Sequence, residues 1–212
     1  MRSWLESGAS VVTANMEPLV GPLSDFRALL APGTLGRFRF GCAFGAGNPY
    51  VSATLGMLLG GDEIRRIEGT FNNALGYIAA RLQDGFPFGR LVREAYEQGY
   101  TTQPDPRLDL SGTLVARQAL VLGRLLGWDL SISDVRIESL VSPAAQTVSV
   151  VEYLAGLGKD VDDVFHELAF KGMYDSSAYC EPVCLRMAAY QAVFDTADRA
   201  SQTYTLAHSL YA

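Results

Sequence analysis

Asp105 and Asp109 stand four residues apart in Gly99-Tyr100-Thr101-Thr102-Gln103-Pro104-Asp105-Pro106-Arg107-Leu108-Asp109-Leu110-Ser111-Gly112. Two carboxylates so placed can receive an ammonium group, or act as base and acid toward a proton held within hydrogen-bond reach. Gln103 brings an amide that donates and accepts but carries no titratable proton, suited to holding a carboxylate or amide. Tyr100 adds a hydroxyl, and Asn72, Asn73 and Gln118 add further amides. These five are the candidate substrate-binding residues. The same carboxylates also suit local duties. Asp105 can close an Asx-type turn with Pro106, and Asp109 can cap the following helix. Both readings stand at this level, and both can hold at once.

A second set lies downstream. His166 shares a helical face with Asp162, four residues earlier, but no third ligand is apparent, so a solvated helix face is the plainer expectation. Lys171 to Cys184 is rich in Tyr, Ser and Cys. Pro182 separates Cys180 from Cys184 and no second cysteine pair exists, so two buried thiols are expected rather than zinc. If this chain has acquired new chemistry, Tyr174, Asp175, Cys180 and His166 are the catalytic candidates beside Asp105 and Asp109. No metal site is expected.

The elements that must position these groups follow from patterning. Met1 to Gly8 reads as a helix stopped by its glycine, Val11 to Thr13 as a short strand, and Ser24 to Leu30 as a helix with Ser24 as N-cap. Phe38 to Phe44 alternates like a half-buried strand. Pro49 opens a helix through Leu59, and Glu63 to Thr70 reads as a strand. Asn72 to Asp84 is a helix with Leu75, Ile78, Ala79 and Leu82 on one face, and Phe88 to Gln98 is another. Ser111 caps a long apolar helix to Leu126. Ile132 to Leu140 reads as a strand, and Ser149 to Leu157, Asp160 to Phe170 and Ala188 to Leu210 as helices. Helices outnumber strands without regular alternation. The expected class is α+β, a mixed or antiparallel sheet covered by helices.

Of the 212 residues, 49% are hydrophobic and 19% charged, enough apolar material for a core. The formal net charge of -6 and the lack of a basic cluster argue against nucleic acid and anionic lipid as partners. Apolar runs fall short of the roughly 20 residues a membrane span needs, so no membrane partner is expected. No basic region followed by an apolar run opens the chain, and the three cysteines form no framework. A reducing, cytoplasmic setting is the expectation. No strand–Gly-x-Gly-x-x-Gly–helix unit occurs. Gly45-Ala46-Gly47 lacks the third glycine and the ribose-binding acid, and reads as a tight loop feeding a helix. No cofactor and no cofactor-binding residue is expected.

Four segments, in order, resemble the homoserine dehydrogenase family: Val11-Val12-Thr13-Ala14-Asn15-Met16, Phe44-Gly45-Ala46-Gly47-Asn48-Pro49, Gly69 to Ile78, and Gly99 to Gly112 with one extra residue near Thr102. The resemblance runs from about Val11 to Ile137. It implies the substrate-binding and dimerising half of that family as one domain over 1–212, with a divergent C-terminal segment at 141–212. It also implies a homodimer. The departures are systematic. The family's lysine after Asn falls on Met16, its Thr-Glu carboxylate on Gln103, and its Asp and Lys one helical turn apart on Leu114 and Gln118. A cation-holding acid falls on Gly41, and a substrate-approaching Gly-Thr falls on Asn73 and Ala74.

Removing a hydride from an alcohol needs a base for its proton and a positive charge near the developing oxyanion. Met16, Leu114 and Gln118 supply neither. The chain also begins where the family's nucleotide-binding half would be ending, so NAD(P) is not expected to bind it alone. Three expectations follow. The first is non-redox chemistry (cyclisation, elimination or isomerisation) on a small amino-acid-like molecule in a specialised biosynthetic pathway. The second is a non-catalytic protein binding a ligand or a partner enzyme subunit. The third is the substrate half of a split NAD(P)-dependent dehydrogenase.

Overall fold

The computed structural model describes residues 1–34, 36–43, 48–64, 66–67, 71–102, 104–137 and 139–158, and the strands at 190–192, 194–195 and 204–208. Ten helices and seven strands alternate irregularly among them: α1 Arg2–Glu6, β1 Val11–Val12, α2 Glu17–Val20, α3 Leu23–Leu29, β2 Phe38–Arg39, α4 Tyr50–Leu59 and β3 Arg66–Ile67. Then come α5 Asn73–Gln83, α6 Phe88–Glu97, α7 Arg107–Leu110, α8 Thr113–Leu125, β4 Val135–Arg136, α9 Pro143–Thr147 and α10 Val150–Gly156. The last described strands are β5 Tyr190–Ala192, β6 Phe194–Asp195 and β7 Tyr204–His208. β1 runs parallel to β2, β3 pairs with β6, and β7 lies between β4 and β5, antiparallel to β5. The fold is α+β with a mixed strand set. No described helix is long and apolar enough to cross a membrane.

The chain divides into two compact units. The first holds Met1–Arg66, Arg117–Val135 and Asp195–Thr203. Gly8, at φ 93°, takes the left-handed backbone that ends α1, as its type dictates. Val11 is buried while Val12 is exposed, the period-two signature of a strand with one covered face. Leu5, Leu19, Phe26, Leu29, Phe38 and Leu120 are almost fully buried and form its core. Each such side chain contributes roughly 1.5–3 kcal/mol by leaving water. Arg37 ties α1 to the turn before β2, donating to the Leu5 carbonyl at 2.8 Å and the Gly33 carbonyl at 2.7 Å.

The second unit holds Ile67–Ala116, Arg136–Phe194 and Tyr204–Ala212. Its centre is the α5–α6 pair. Phe88, Leu91, Val92 and Ala95 recur at helical spacing on α6 and are buried. Leu75, Ile78 and Ala79 face inward from α5. Arg93 donates to the Leu154 and Leu157 carbonyls at 3.1 and 2.6 Å, satisfying the free end of α10. Gly89 allows this close packing. A β-carbon there would lie 2.8 Å from the Leu157 carbonyl oxygen. Gly89→Ala is therefore expected to lower unfolding stability by about 1–3 kcal/mol, since a backbone atom rather than a flexible side chain must yield. A urea midpoint unchanged in the variant would refute this.

Several expected elements are corrected. α3 begins at Leu23 with Pro22 as its N-cap, so Ser24 lies inside the helix. The Phe38 strand is two residues long, because a turn opens at Gly41. The strand expected over 132–140 is a 3-10 turn at Ile132–Asp134 followed by β4. There Ser131 and Asp134 form a reciprocal capping box that draws the chain into the turn. α2, α7 and α9 were not anticipated. Most consequentially, the helix expected over Ala188 to Leu210 contains β5, β6 and β7. Alanine spacing there suggests a helix, whereas Tyr190, Phe194, Tyr204 and Thr205 suit a pleated, cross-strand environment. The helix expected over 160–170 lies outside the described residues.

Candidate functional site

The second unit gathers Asn72, Thr102, Asp105 and Asp109. Asn72 is extended just before α5, and its side-chain oxygen accepts from the Leu75 amide at 2.9 Å. This is an ordinary N-cap, and it leaves the amide nitrogen free to turn outward. That nitrogen donates to Asp109 Oδ1 at 2.6 Å. Asp109 is 3% exposed. Its Oδ2 accepts from the Thr102 amide at 2.6 Å, and Oδ1 also takes the Thr102 hydroxyl at 3.3 Å. One buried carboxylate thus joins the start of α5, the loop after α6, and α7. Asp109 lies within α7 and does not cap the helix that follows.

Asp105 is committed in a different way. Its Oδ1 accepts from the Arg107 amide at 3.0 Å, the Asx turn its sequence context allows. The Arg107 guanidinium then closes on both oxygens, Nε at 2.9 and 3.0 Å and Nη2 at 2.6 Å. Nη1 donates to the Ala145 and Val148 carbonyls, and the guanidinium lies 5.5 Å from the Tyr153 ring centre. The Arg107 guanidinium holds the Asp105 carboxyl below the usual carboxylate range. Burial pushes the Tyr153 hydroxyl up to about 12. These groups fasten the segment Asp105–Leu110 to α9 and α10.

Tyr100 is exposed and packs its ring against Tyr77, centre to centre 5.1 Å. The Tyr77 hydroxyl donates to Glu94 at 3.0 Å, and Arg90 donates to the other Glu94 oxygen at 2.7 Å. The Arg90 bond, then the Tyr77 bond, lowers the Glu94 carboxyl, while burial first and Glu94 second raise the Tyr77 hydroxyl. Asn73 is exposed at the first position of α5, and Ala74 beside it is buried.

Gln118 belongs to the first unit, on α8. It is 9% exposed, and its Oε1 is sealed from solvent without a hydrogen-bond partner. Leu114, one turn earlier, is half-buried, as is Met16, the N-cap of α2. Gly41 lies exposed in a turn. Beside Met16 and Gln118, Glu17 and Arg117 form an ion pair. Gln103, His166, Tyr174, Asp175 and Cys180 lie outside the described residues. Among the described residues no group of three or more His, Cys, Asp or Glu side chains could hold a metal ion.

The parallel pair β1–β2 has two strands, and the turn after β1, Thr13 to Met16, contains no glycine whose backbone could cradle a diphosphate. Three residues of consequence were missed in the sequence: Thr102, Arg107 and Arg124. The Asp105-Pro106-Arg107 spacing was a usable signal for the second. A lone arginine inside Val121-Leu122-Gly123-Arg124-Leu125-Leu126 was one for the third.

Comparison with known proteins agrees with the order of motifs. A family model described as homoserine dehydrogenase matches residues 49–205. The chloroplastic bifunctional aspartokinase/homoserine dehydrogenase 1 of Zea mays is 40% identical over 157 residues, 73% of this chain and 17% of that protein. The homoserine dehydrogenase of Saccharomyces cerevisiae is 31% identical over 176 residues, 78% of this chain and 49% of that one. The chain thus spans at most about half the length of these relatives. A crystal structure of a Candida auris protein of unknown function superposes with TM-score 0.81 at 21% identity, covering 100% of this chain and 58% of that one, a likeness of fold alone. A family match over well more than half its length, with a relative 40% identical over 73% of the chain, establishes that this chain belongs to the homoserine dehydrogenase family.

Proposed function

We propose that this domain is a non-catalytic member of its family that binds an amino-acid-like ligand or a partner subunit. The observation that carries the reading is the state of the two carboxylates left in its signature segment. Asp109 is buried under three internal donor contacts, and Asp105 is enclosed by its own Arg107. Both carboxylates are thus already engaged by donors of the chain itself. The resemblance sets Met16, Leu114 and Gln118 where the family has its lysines and a further acid, and none of these carries a charge. General acid–base catalysis is worth about 10²–10⁴-fold, and electrostatic stabilisation of the oxyanion about 10²–10³-fold more. Losing both together would remove about 10⁴–10⁷-fold of rate acceleration. The ligand half of the reading rests on Gln118, whose sealed oxygen lacks a donor that an ammonium or hydroxyl group would supply.

The test is turnover of L-homoserine by the purified full-length protein with NAD⁺ or NADP⁺. No nicotinamide reduction above an enzyme-free control is expected. Steady reduction that depends on both homoserine and protein would overturn the proposal. Non-redox chemistry on a similar molecule, the first expectation from the sequence, is the alternative reading. Four of its six named catalytic candidates, His166, Tyr174, Asp175 and Cys180, fall outside the described residues, and the other two are the enclosed Asp105 and Asp109.

A further inference from the structure

Arg124 is an arginine in an apolar helix, 5% exposed, and it has no carboxylate partner among the described residues. Its Nε donates to the Leu130 carbonyl at 2.9 Å. Its Nη1 donates to the carbonyls of Leu19 and Gly21 at 2.7 and 2.8 Å. Three carbonyl dipoles and the Phe26 ring, 5.5 Å away, are what offset its charge. Burial pushes the guanidinium down from the ordinary arginine range, yet a guanidinium stays protonated at neutral pH. Nη2 makes no hydrogen bond among the described residues. Nor is it one of the polar atoms sealed from solvent without a partner, which are Arg81 Nε, Thr101 Oγ1 and Gln118 Oε1. It therefore keeps access to open space.

A cleft of about 270 Å³ lies within the first unit, and Arg124 is part of its lining. Phe26 and Leu30 of the α3 region, Leu55 of α4, and Leu125 and Trp128 at the end of α8 give it apolar walls. Arg27 and Asp129, also in the lining, are joined in an exposed ion pair. The lining thus carries one net positive charge, on a group with two unused N–H bonds, surrounded by hydrocarbon. An apolar cleft with one convergent charged group is the usual form of a small-ligand site, and this volume is slightly below the usual range of roughly 300–1,000 Å³.

We propose that the cleft binds a small monocarboxylate with an apolar tail. The carboxylate meets Nη2 of Arg124, and the tail lies against Phe26, Leu55 and Trp128. A monoanion matches the single net charge. A phosphate dianion would meet the Asp129 carboxylate and an ammonium group would meet Arg124, so both are disfavoured. The alternative is that Arg124 only clamps the carbonyls around it and that the cleft takes no ligand.

Calorimetric titration of the full chain with sodium phenylacetate, phenylacetamide and inorganic phosphate at constant ionic strength separates the two. Phenylacetate is expected to bind at least tenfold more tightly than either other probe. Leu55→Trp, which adds bulk to the cleft wall and leaves Arg124 in the sequence, is expected to weaken phenylacetate at least tenfold. Absence of phenylacetate binding, equal affinity for the acid and its amide, equal affinity for phosphate, or binding unaffected by L55W would each overturn the proposal. The comparison of probes on the unaltered protein needs no variant to fold. Neither homoserine nor nicotinamide enters the measurement, so its outcome is separate from that of the dehydrogenase assay.

Discussion

Asp109→Ala is expected to reduce the free energy of unfolding by about 3 kcal/mol. The carboxylate is 3% exposed and takes the Asn72 amide at 2.6 Å, the Thr102 backbone amide at 2.6 Å and the Thr102 hydroxyl at 3.3 Å. A hydrogen bond to a charged group contributes about 1.5–3 kcal/mol, and donors left unpaired in the interior carry their own penalty of about 1–3 kcal/mol. These terms do not add fully, because Asn72 can turn toward solvent, being half-buried, while the Thr102 backbone amide cannot. Asp109→Asn separates charge from shape. Its amide must present a nitrogen to one of the two sides that now donate, so it should cost nearly as much as alanine. A cycle with Asn72→Ala should show coupling of about 1 kcal/mol or more. Urea unfolding followed by circular dichroism measures all of these. A loss below about 1 kcal/mol in D109A would show that the cluster is incidental to folding.

The sequence made Asp109 conspicuous and left its use open. An acidic residue between Leu108 and Leu110, ahead of an apolar helix, must either reach solvent or find donors. Which of these holds depends on Asn72 and Thr102, which lie 37 and 7 residues away, and no periodicity relates them. Asp105 was more legible, because its turn and its arginine are two residues downstream. Elements built on dense local signals were also legible. α6 repeats Phe88, Leu91, Val92 and Ala95 on one face and stops at Gly99, whose φ is 72°. α5 opens on the Asn72 cap as its sequence indicates. The C-terminal strands were not legible, since Tyr190 pairs with His208 and Ala192 with Leu206 across a gap that local propensity does not sense.

The family motifs survived this ambiguity because they fix order rather than contacts. They placed the chain correctly in its family while most of its polar side chains were still unassigned. Asp109, inside the last of these segments, accepts three hydrogen bonds whose geometry the motifs do not show.

Arg124→Met is expected to be the other severely destabilising change, at about 3 kcal/mol or more. Methionine matches the aliphatic stem of arginine and restores its packing against Phe26, so lost volume is not the main cost. What is lost is the donor set. The carbonyls of Leu19, Gly21 and Leu130 come from the end of α2, the turn into α3 and the chain after α8, and one guanidinium reaches all three. A planar group with nitrogens on different sides can do this, and a single ammonium cannot. Arg124→Lys should therefore recover only the Leu19 and Gly21 side or the Leu130 side, and stand roughly midway between the parent and R124M. Burying an arginine costs desolvation, and exchange for a hydrophobic residue sometimes stabilises a protein when every partner leaves with it. Here the partners are backbone and stay, so the penalty of unpaired acceptors remains in the variant. Equilibrium unfolding of the three proteins in urea decides the matter. R124M as stable as the parent would mean that the carbonyls find other donors, and R124K as stable as the parent would mean that charge rather than fork geometry holds this corner.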